Sequence, residues 1–150
     1  MSIFDKLSKE SQKELYKKSI KEGDVFLKDF EEADHKKFFI IAGISGDKVF
    51  VCSVFINSNI HPSIKNKQRL LALQVPLKKT LNPFLSYDSF ANCAYPIPLE
   101  TDTITTSIIN GGCKVIGCID PSDLDNVQQS LIHSGLLSEE QIDLYFKKWH

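Results

Sequence analysis

The sequence has one arginine, Arg69, in 150 residues. A single guanidinium leaves a single planar fork for bidentate phosphate binding, and every other cationic contact falls to lysine, a point charge. There is no basic excess either, since the formal net charge is −1. A broad field that would draw nucleic acid to the whole surface is therefore excluded. No apolar run approaches the length of a membrane span, and Met-Ser-Ile-Phe-Asp-Lys lacks a secretory pattern. The chain is expected in the cytoplasm, with no membrane partner. Cysteine is sparse: Cys52, Cys93, Cys113 and Cys118 show no zinc-type Cys/His spacing. Cys52 and Cys93 sit in apolar runs and are expected to behave as small hydrophobes. Cys113 and Cys118 lie five apart on an expected strand, so they point to opposite faces and share no metal. A disulfide framework is not expected in a reducing compartment. Repeats, low-complexity stretches and internal linkers are also absent, and 150 residues make one domain with room for a core.

What is present is centred on Lys36 to Asn59. Two β-branched and aromatic runs flank Ser45-Gly46-Asp47-Lys48, a hairpin pattern. A turn centred on Gly46 and Asp47 sets Lys36 opposite Asn57, Lys37 opposite Ile56 and His35 opposite Ser58. The polar ends of both strands then meet at one end of the hairpin. In that register one face carries Phe39, Ile41, Cys52 and Val54, and the other Phe38, Ile40, Val51 and Phe55. A register error of one residue swaps the faces. Both faces are apolar, so both must be covered, by a barrel or sandwich inside and by helices or another subunit outside.

Around the hairpin, residues 4–21 form a sparse amphipathic helix, with Phe4, Leu7, Leu15 and Tyr16 on its stripe and Gly23 as its stop. Residues 24–30 form a short strand, followed by an acidic loop at Glu31, Glu32 and Asp34. His61-Pro62 breaks the pattern, and residues 63–68 are expected as a polar loop. Residues 69–77 are strand-like, with Pro76 marking an edge or an end. Residues 78–83 form a loop, 89–95 a strand closed by Pro96-Ile97-Pro98, and 114–119 another strand. Residues 101–110 fit a strand by composition and a helix by the Ile104/Ile108 spacing. Asp120-Pro121-Ser122-Asp123 starts a helix with Leu124, Val127, Leu131 and Ile132 in its stripe and Gly135 as its stop. Ser138 and Gln141 form a capping box for a last helix carrying Ile142, Tyr145, Phe146 and Trp149. The expected fold is α+β: a small barrel of five to six short strands over about 23–119, with an N-terminal helix and two C-terminal helices over about 121–149.

The order of these elements resembles the MazF/PemK-like toxins of bacterial toxin–antitoxin systems. Gly23-Asp24-Val25-Phe26-Leu27 is similar to the family's opening Gly-Asp strand. Lys36-Lys37 followed by Phe38-Phe39-Ile40-Ile41 resembles its second strand, led by a basic residue. Phe55-Ile56-Asn57-Ser58 resembles the end of its third strand, and Ser86 to Cys93 a segment that begins with Ser and closes with Cys. Val115-Ile116-Gly117 and the helix from Asp123 resemble the closing strand and helix. The resemblance implies an SH3-like barrel, usually a homodimer held in check by an antitoxin protein, that cleaves single-stranded RNA with no metal and no cofactor. The chemistry needs a base for the ribose 2′-hydroxyl, an acid for the leaving oxygen and a cation for the charge on phosphorus. Where the family has Arg this chain has Lys37, or Lys36 one step away. Where it has Thr this chain has Asn57, with Ser58 beside it, and Phe38 stands in place of its Pro. An asparagine transfers no proton, though its amide can hold a phosphate oxygen.

The implied catalytic set is Lys37, Asn57 and Ser58, joined by His35 and His61, two imidazoles that bracket the hairpin end and can serve as acid and base or as plain loop residues. RNA contacts are expected from Lys36, Arg69, Lys78, Lys79 and Tyr87, with Tyr87 favoured over Phe84 and Phe90 as a stacking ring. Residues 51–100 hold five cations against two carboxylates, a net +3, and residues 101–150 three lysines against seven carboxylates, a net −4. That central basic bias fits an anionic ligand, and it fits a mixed solvated surface. The alternative function is a catalytically silent SH3-like binding module for a protein partner or for self-association.

Overall fold

The computed structural model describes residues 7–29, 36–60 and 62–146. The fold is α+β. Helix α1 (Lys9–Ser19) leads into strands β1 (Asp24–Asp29), β2 (Lys36–Ile44) and β3 (Phe50–Asn57). Two short helical turns, α2 (Pro62–Lys65) and α3 (Gln68–Leu71), precede β4 (Gln74–Leu77), β5 (Ser89–Asn92) and β6 (Ile97–Glu100). Helix α4 (Thr101–Ile109), strand β7 (Cys113–Cys118) and helices α5 (Pro121–His133) and α6 (Glu139–Phe146) complete the order. The paired strands run β4-β5-β3-β2-β1-β7 and are antiparallel throughout, with β6 also on β3.

The described strands number seven, not five or six. The extra one is β6, inside the segment expected only as a Pro96–Pro98 closure. Pro98 sits opposite Cys52 in its register. Strand β3 carries two partners on one edge, β6 along Phe50–Ser53 and β5 at Ile56–Asn57. Handing that edge from one strand to another bends the sheet into a barrel-like wall.

The hairpin register differs from the sequence expectation by one residue, and the cause is local. Lys48 N–H donates to the Ser45 carbonyl at 2.9 Å, and Ser45 N–H to the Phe50 carbonyl at 2.8 Å. Lys48 takes a left-handed φ of 60°. The turn is therefore longer than one centred on Gly46 and Asp47. Next to the turn, Ile44↔Val51 and Gly43↔Cys52 stand two residues off the expectation; a bulge between Ile41 and Gly43 takes one back, and the pairs become Ile41↔Ser53, Ile40↔Val54, Phe39↔Phe55 and Phe38↔Ile56. Side chains of β3 consequently change faces relative to the expectation. Cys52 and Val54 join Ile40 in one core, while Val51 and Phe55 join Phe39 and Ile41 in the other.

Both faces of the hairpin are covered, as its apolarity requires. The inner core is closed by α5 and α6 through Val127, Leu131 and Phe146, all fully buried. The outer core is closed by Ile104 of α4 and by Ile20, which follows α1. The chain's own helices thus cover the face for which another subunit was the alternative. At the bulge, Gly43 lets α6 lie on bare backbone: a Cβ there would stand 2.7 Å from a Phe146 ring carbon.

Residues 101–110 resolve as helix, ended by Gly111 at φ 81°. Residues 68–71, expected in a loop and a strand start, form α3 because Gln-Arg-Leu-Leu are good helix formers. Pro76 does lie on an edge strand, β4. Asp120 caps α5 by accepting from Ser122 N–H at 3.0 Å. The capping box of α6 has both of its bonds, Ser138 N–H to Gln141 Oε1 at 2.9 Å and Gln141 N–H to Ser138 Oγ at 3.1 Å. No helix among the described residues is long and apolar enough to cross a membrane.

Candidate functional site

The observed register sets Lys37 one step beyond the Phe38↔Ile56 pair, beside Asn57. The Lys37 ammonium donates to Asn57 Oδ1 at 3.1 Å. Lys37 and Asn57 are half-buried and Ser58 is exposed. This group stands between two clefts. The smaller, about 220 Å³, lies between Lys37 and the Ser86–Tyr87 loop and has Phe38 and Leu85 in its wall. The larger, about 620 Å³, lies between Asn57 and the first turn after the hairpin, and is lined also by Asn59, Ile64 and Asn92. Lys37, Asn57 and Ser58 belong to both.

The loop that walls the smaller cleft is held by a buried side chain. Asn82 is fully buried, and its Nδ2 donates to the Lys78 carbonyl at 2.9 Å and to Asp123 Oδ2 at 2.8 Å. Its Oδ1 accepts from Asp120 N–H at 2.9 Å. One amide thus ties the loop to the start of α5, with its capacity largely spent on structure. Downstream, Lys79 Nζ donates to the Leu85 carbonyl at 3.0 Å, and Lys79 N–H to Asp88 Oδ1 at 2.8 Å. Ser89 Oγ donates to the Tyr87 carbonyl at 2.9 Å. These bonds present Tyr87, 70% exposed, at the cleft rim.

The residues singled out from sequence divide accordingly. Lys37, Asn57, Ser58 and Tyr87 come together. Lys79 stands behind the Tyr87 loop as a staple, and Lys78 is exposed on the same loop. Arg69 is on α3, and its guanidinium lies 3.5 Å from where a Cβ on Gly135 would stand, beyond the end of α5. It lines neither cleft. Lys36 pairs with Asp29 in the β1–β2 register. His35 and His61 lie outside the described residues, as do Trp149 and the acidic loop. Phe84 is no stacking platform, since it packs edge-on against Phe38 at 6.4 Å between ring centroids and faces Gly117.

Among the contributors missed from sequence are Ser86, which is only a polar loop residue there, and Asn92, which stands in a short strand. Asn92 Oδ1 accepts from Gln74 Nε2 at 2.8 Å and from Ala94 N–H at 3.3 Å. The Gln74↔Asn92 cross-strand pair that fixes this amide has no local sequence signal.

Chemically, the site offers a cation, carboxamide donors and hydroxyls around an open groove. That set suits an anionic or carbonyl-rich ligand. The cysteines take no part in it. Burial pushes the Cys52 and Cys93 thiols up to about 12 and Cys113 to about 11, so all three stay protonated and inert near neutrality. No cluster of three or more His, Cys, Asp or Glu among the described residues could hold a metal ion.

No family model matches the chain, and no curated protein matches it significantly. The likeness to MazF/PemK-like toxins stands on the order of residues and elements alone.

Proposed function

We propose that the chain binds single-stranded RNA across the two clefts and cleaves it there as a metal-independent, MazF/PemK-like endoribonuclease of the cytoplasm, acting as a homodimer under an antitoxin protein. The observation that carries this reading is the Lys37–Asn57 bond at 3.1 Å, at the junction of two grooves that Ser58 and the exposed Tyr87 ring also line. A backbone phosphate seated at the junction meets the Lys37 ammonium and the Ser58 hydroxyl. The flanking nucleotides extend into the two clefts, one of them against Tyr87. In the reaction, the ribose 2′-hydroxyl gives its proton to solvent water as its oxygen attacks the adjacent phosphorus, Lys37 stabilises the added negative charge, and the 5′-oxygen leaves taking a proton from water, with a 2′,3′-cyclic phosphate behind it.

One observation favours the silent binding module. Apart from Lys37 and Tyr87, the described side chains lining the clefts are amides, hydroxyls and apolar groups, with no group that titrates near neutrality. The test is incubation of purified protein with single-stranded RNA in the presence of EDTA, followed by mapping of cyclic-phosphate ends. Cleavage that is lost in Lys37→Ala and reduced in Ser58→Ala supports the nuclease. Intact RNA in every sample favours the silent module, and equal cleavage by all three proteins removes the proposed site.

A further inference from the structure

Of the three carboxamides lining the larger cleft, Asn57, Asn59 and Asn92, two are held in one orientation. Asn57 Oδ1 accepts from Lys37, and Asn92 Oδ1 accepts from Gln74 and from Ala94 N–H. An amide oxygen engaged in this way leaves its Nδ2 as the polar edge for a ligand. Both amides therefore show donors, and the Lys37 ammonium between the two clefts adds more. Neither Nδ2 has a hydrogen-bond partner among the described residues, and both residues are half-buried at the cleft. A wall whose fixed groups all donate selects a ligand whose exposed groups all accept. Of the four RNA bases, uracil alone has only acceptors as exocyclic groups, O2 and O4. Adenine carries a donor amine in that role, and cytosine and guanine carry one group of each kind.

We infer that the larger cleft is a uracil-selecting subsite, in which Asn57 and Asn92 donate to the base carbonyls and Gln74 acts as a positioning residue that keeps Asn92 from flipping. The inference rests on the RNA-binding reading above and adds the base preference. Gln74 does not line the cleft, so its effect passes through Asn92.

The experiment compares short fluorescent oligouridylate and oligoadenylate, both with 2′-O-methyl sugars so that no cleavage intervenes, by anisotropy. Wild-type protein is expected to favour oligouridylate by about tenfold, the worth of one or two well-placed hydrogen bonds. Asn92→Asp keeps the shape and the bond from Gln74 but replaces the donor with an acceptor. Its added charge weakens both oligomers alike, so the ratio isolates the base, and that ratio is expected to fall to about one. Gln74→Ala is expected to lower the ratio while leaving oligoadenylate affinity unchanged. Equal affinities in the wild type, meaning phosphate contact only, or an unchanged ratio in Asn92→Asp, would overturn the subsite and leave RNA binding standing. Failure of both oligomers to bind removes RNA binding and the subsite together.

Discussion

The two ends of the β2–β3 hairpin are both polar, and they use their polarity differently. At the turn end the groups satisfy one another. Ser45 Oγ donates to Asp47 Oδ1 at 2.6 Å and accepts from Phe50 N–H at 3.0 Å, and Asp47 Oδ1 also accepts from Val49 N–H at 3.0 Å. Thr101, buried at the start of α4, donates to the Lys48 carbonyl at 2.6 Å. The bonds from Ser45 and Val49 hold the Asp47 carboxyl's pKa below its usual range, the Ser45 hydroxyl contributing most. At the open end one bond, Lys37 to Asn57, leaves Nδ2 donors and the Ser58 hydroxyl facing two grooves. A polar cluster that closes on itself secures a fold. One that keeps spare donors at an opening is equipped for a ligand.

Substitutions test that division, beginning with the largest expected cost to stability. Gly43→Ala, two residues before Ser45 on β2, forces a Cβ to within 2.7 Å of Phe146 and 2.9 Å of Tyr145. It should destabilise the protein by up to about 3 kcal/mol through overpacking, read as a lower denaturation midpoint, and it should loosen both ends together. Thr101→Val at the closed end removes a donor from a buried site and should cost about 1–3 kcal/mol, with RNA affinity unchanged. Tyr87→Ala at the open end reverses the pattern: RNA binding should weaken by about 1–3 kcal/mol from lost stacking, while chemical denaturation shifts by no more than about 0.5 kcal/mol.

The smallest effect belongs to Asp24, remote from both ends. Burial raises its pKa, outweighing the hydrogen bond from Lys21 N–H. A carboxyl with a raised folded-state pKa binds its proton more tightly when folded. Its contribution is fully present below the unfolded pKa and is lost as pH rises through the folded one. Asp24→Asn keeps an acceptor for Lys21 and should remove that pH dependence from the stability curve, with a neutral or slightly favourable change at pH 7.

Much of the fold was legible in the sequence because its signals are local. Asp120-Pro121 and the Ser138/Gln141 box name helix starts by chemistry acting within three residues, and the two-sided apolarity of β2 and β3 foretold cover on both faces. The register was not legible. It depends on side chains of Ser45 and Asp47 building a longer turn, and on a bulge at Ala42 whose reason, Phe146 against Gly43, lies about a hundred residues away in the chain. Strand β6 was hidden because Pro98 within it and Pro96 just before it suggest a break, yet β3 offers it a free edge. At the site, the hairpin's polar end was located correctly while its pairing was off by one: Lys37, not Lys36, meets Asn57. Arg69, the sole arginine, read either as a phosphate clamp or as a solvated residue; α3 sets its guanidinium near Gly135, outside the lining of the two clefts. The donor character of Asn92 could not be read, since it follows from a partner on another strand.

The central claim is that the open end is a ligand site and the closed end a structural one. Its most direct test is the RNA affinity of Lys37→Ala, measured with its melting curve and with Thr101→Val alongside. Lys37→Ala should lose at least about tenfold in affinity while melting close to the wild type, and Thr101→Val should melt early and bind normally. Wild-type affinity in Lys37→Ala, or a loss of stability as deep as that of Thr101→Val, would contradict the claim.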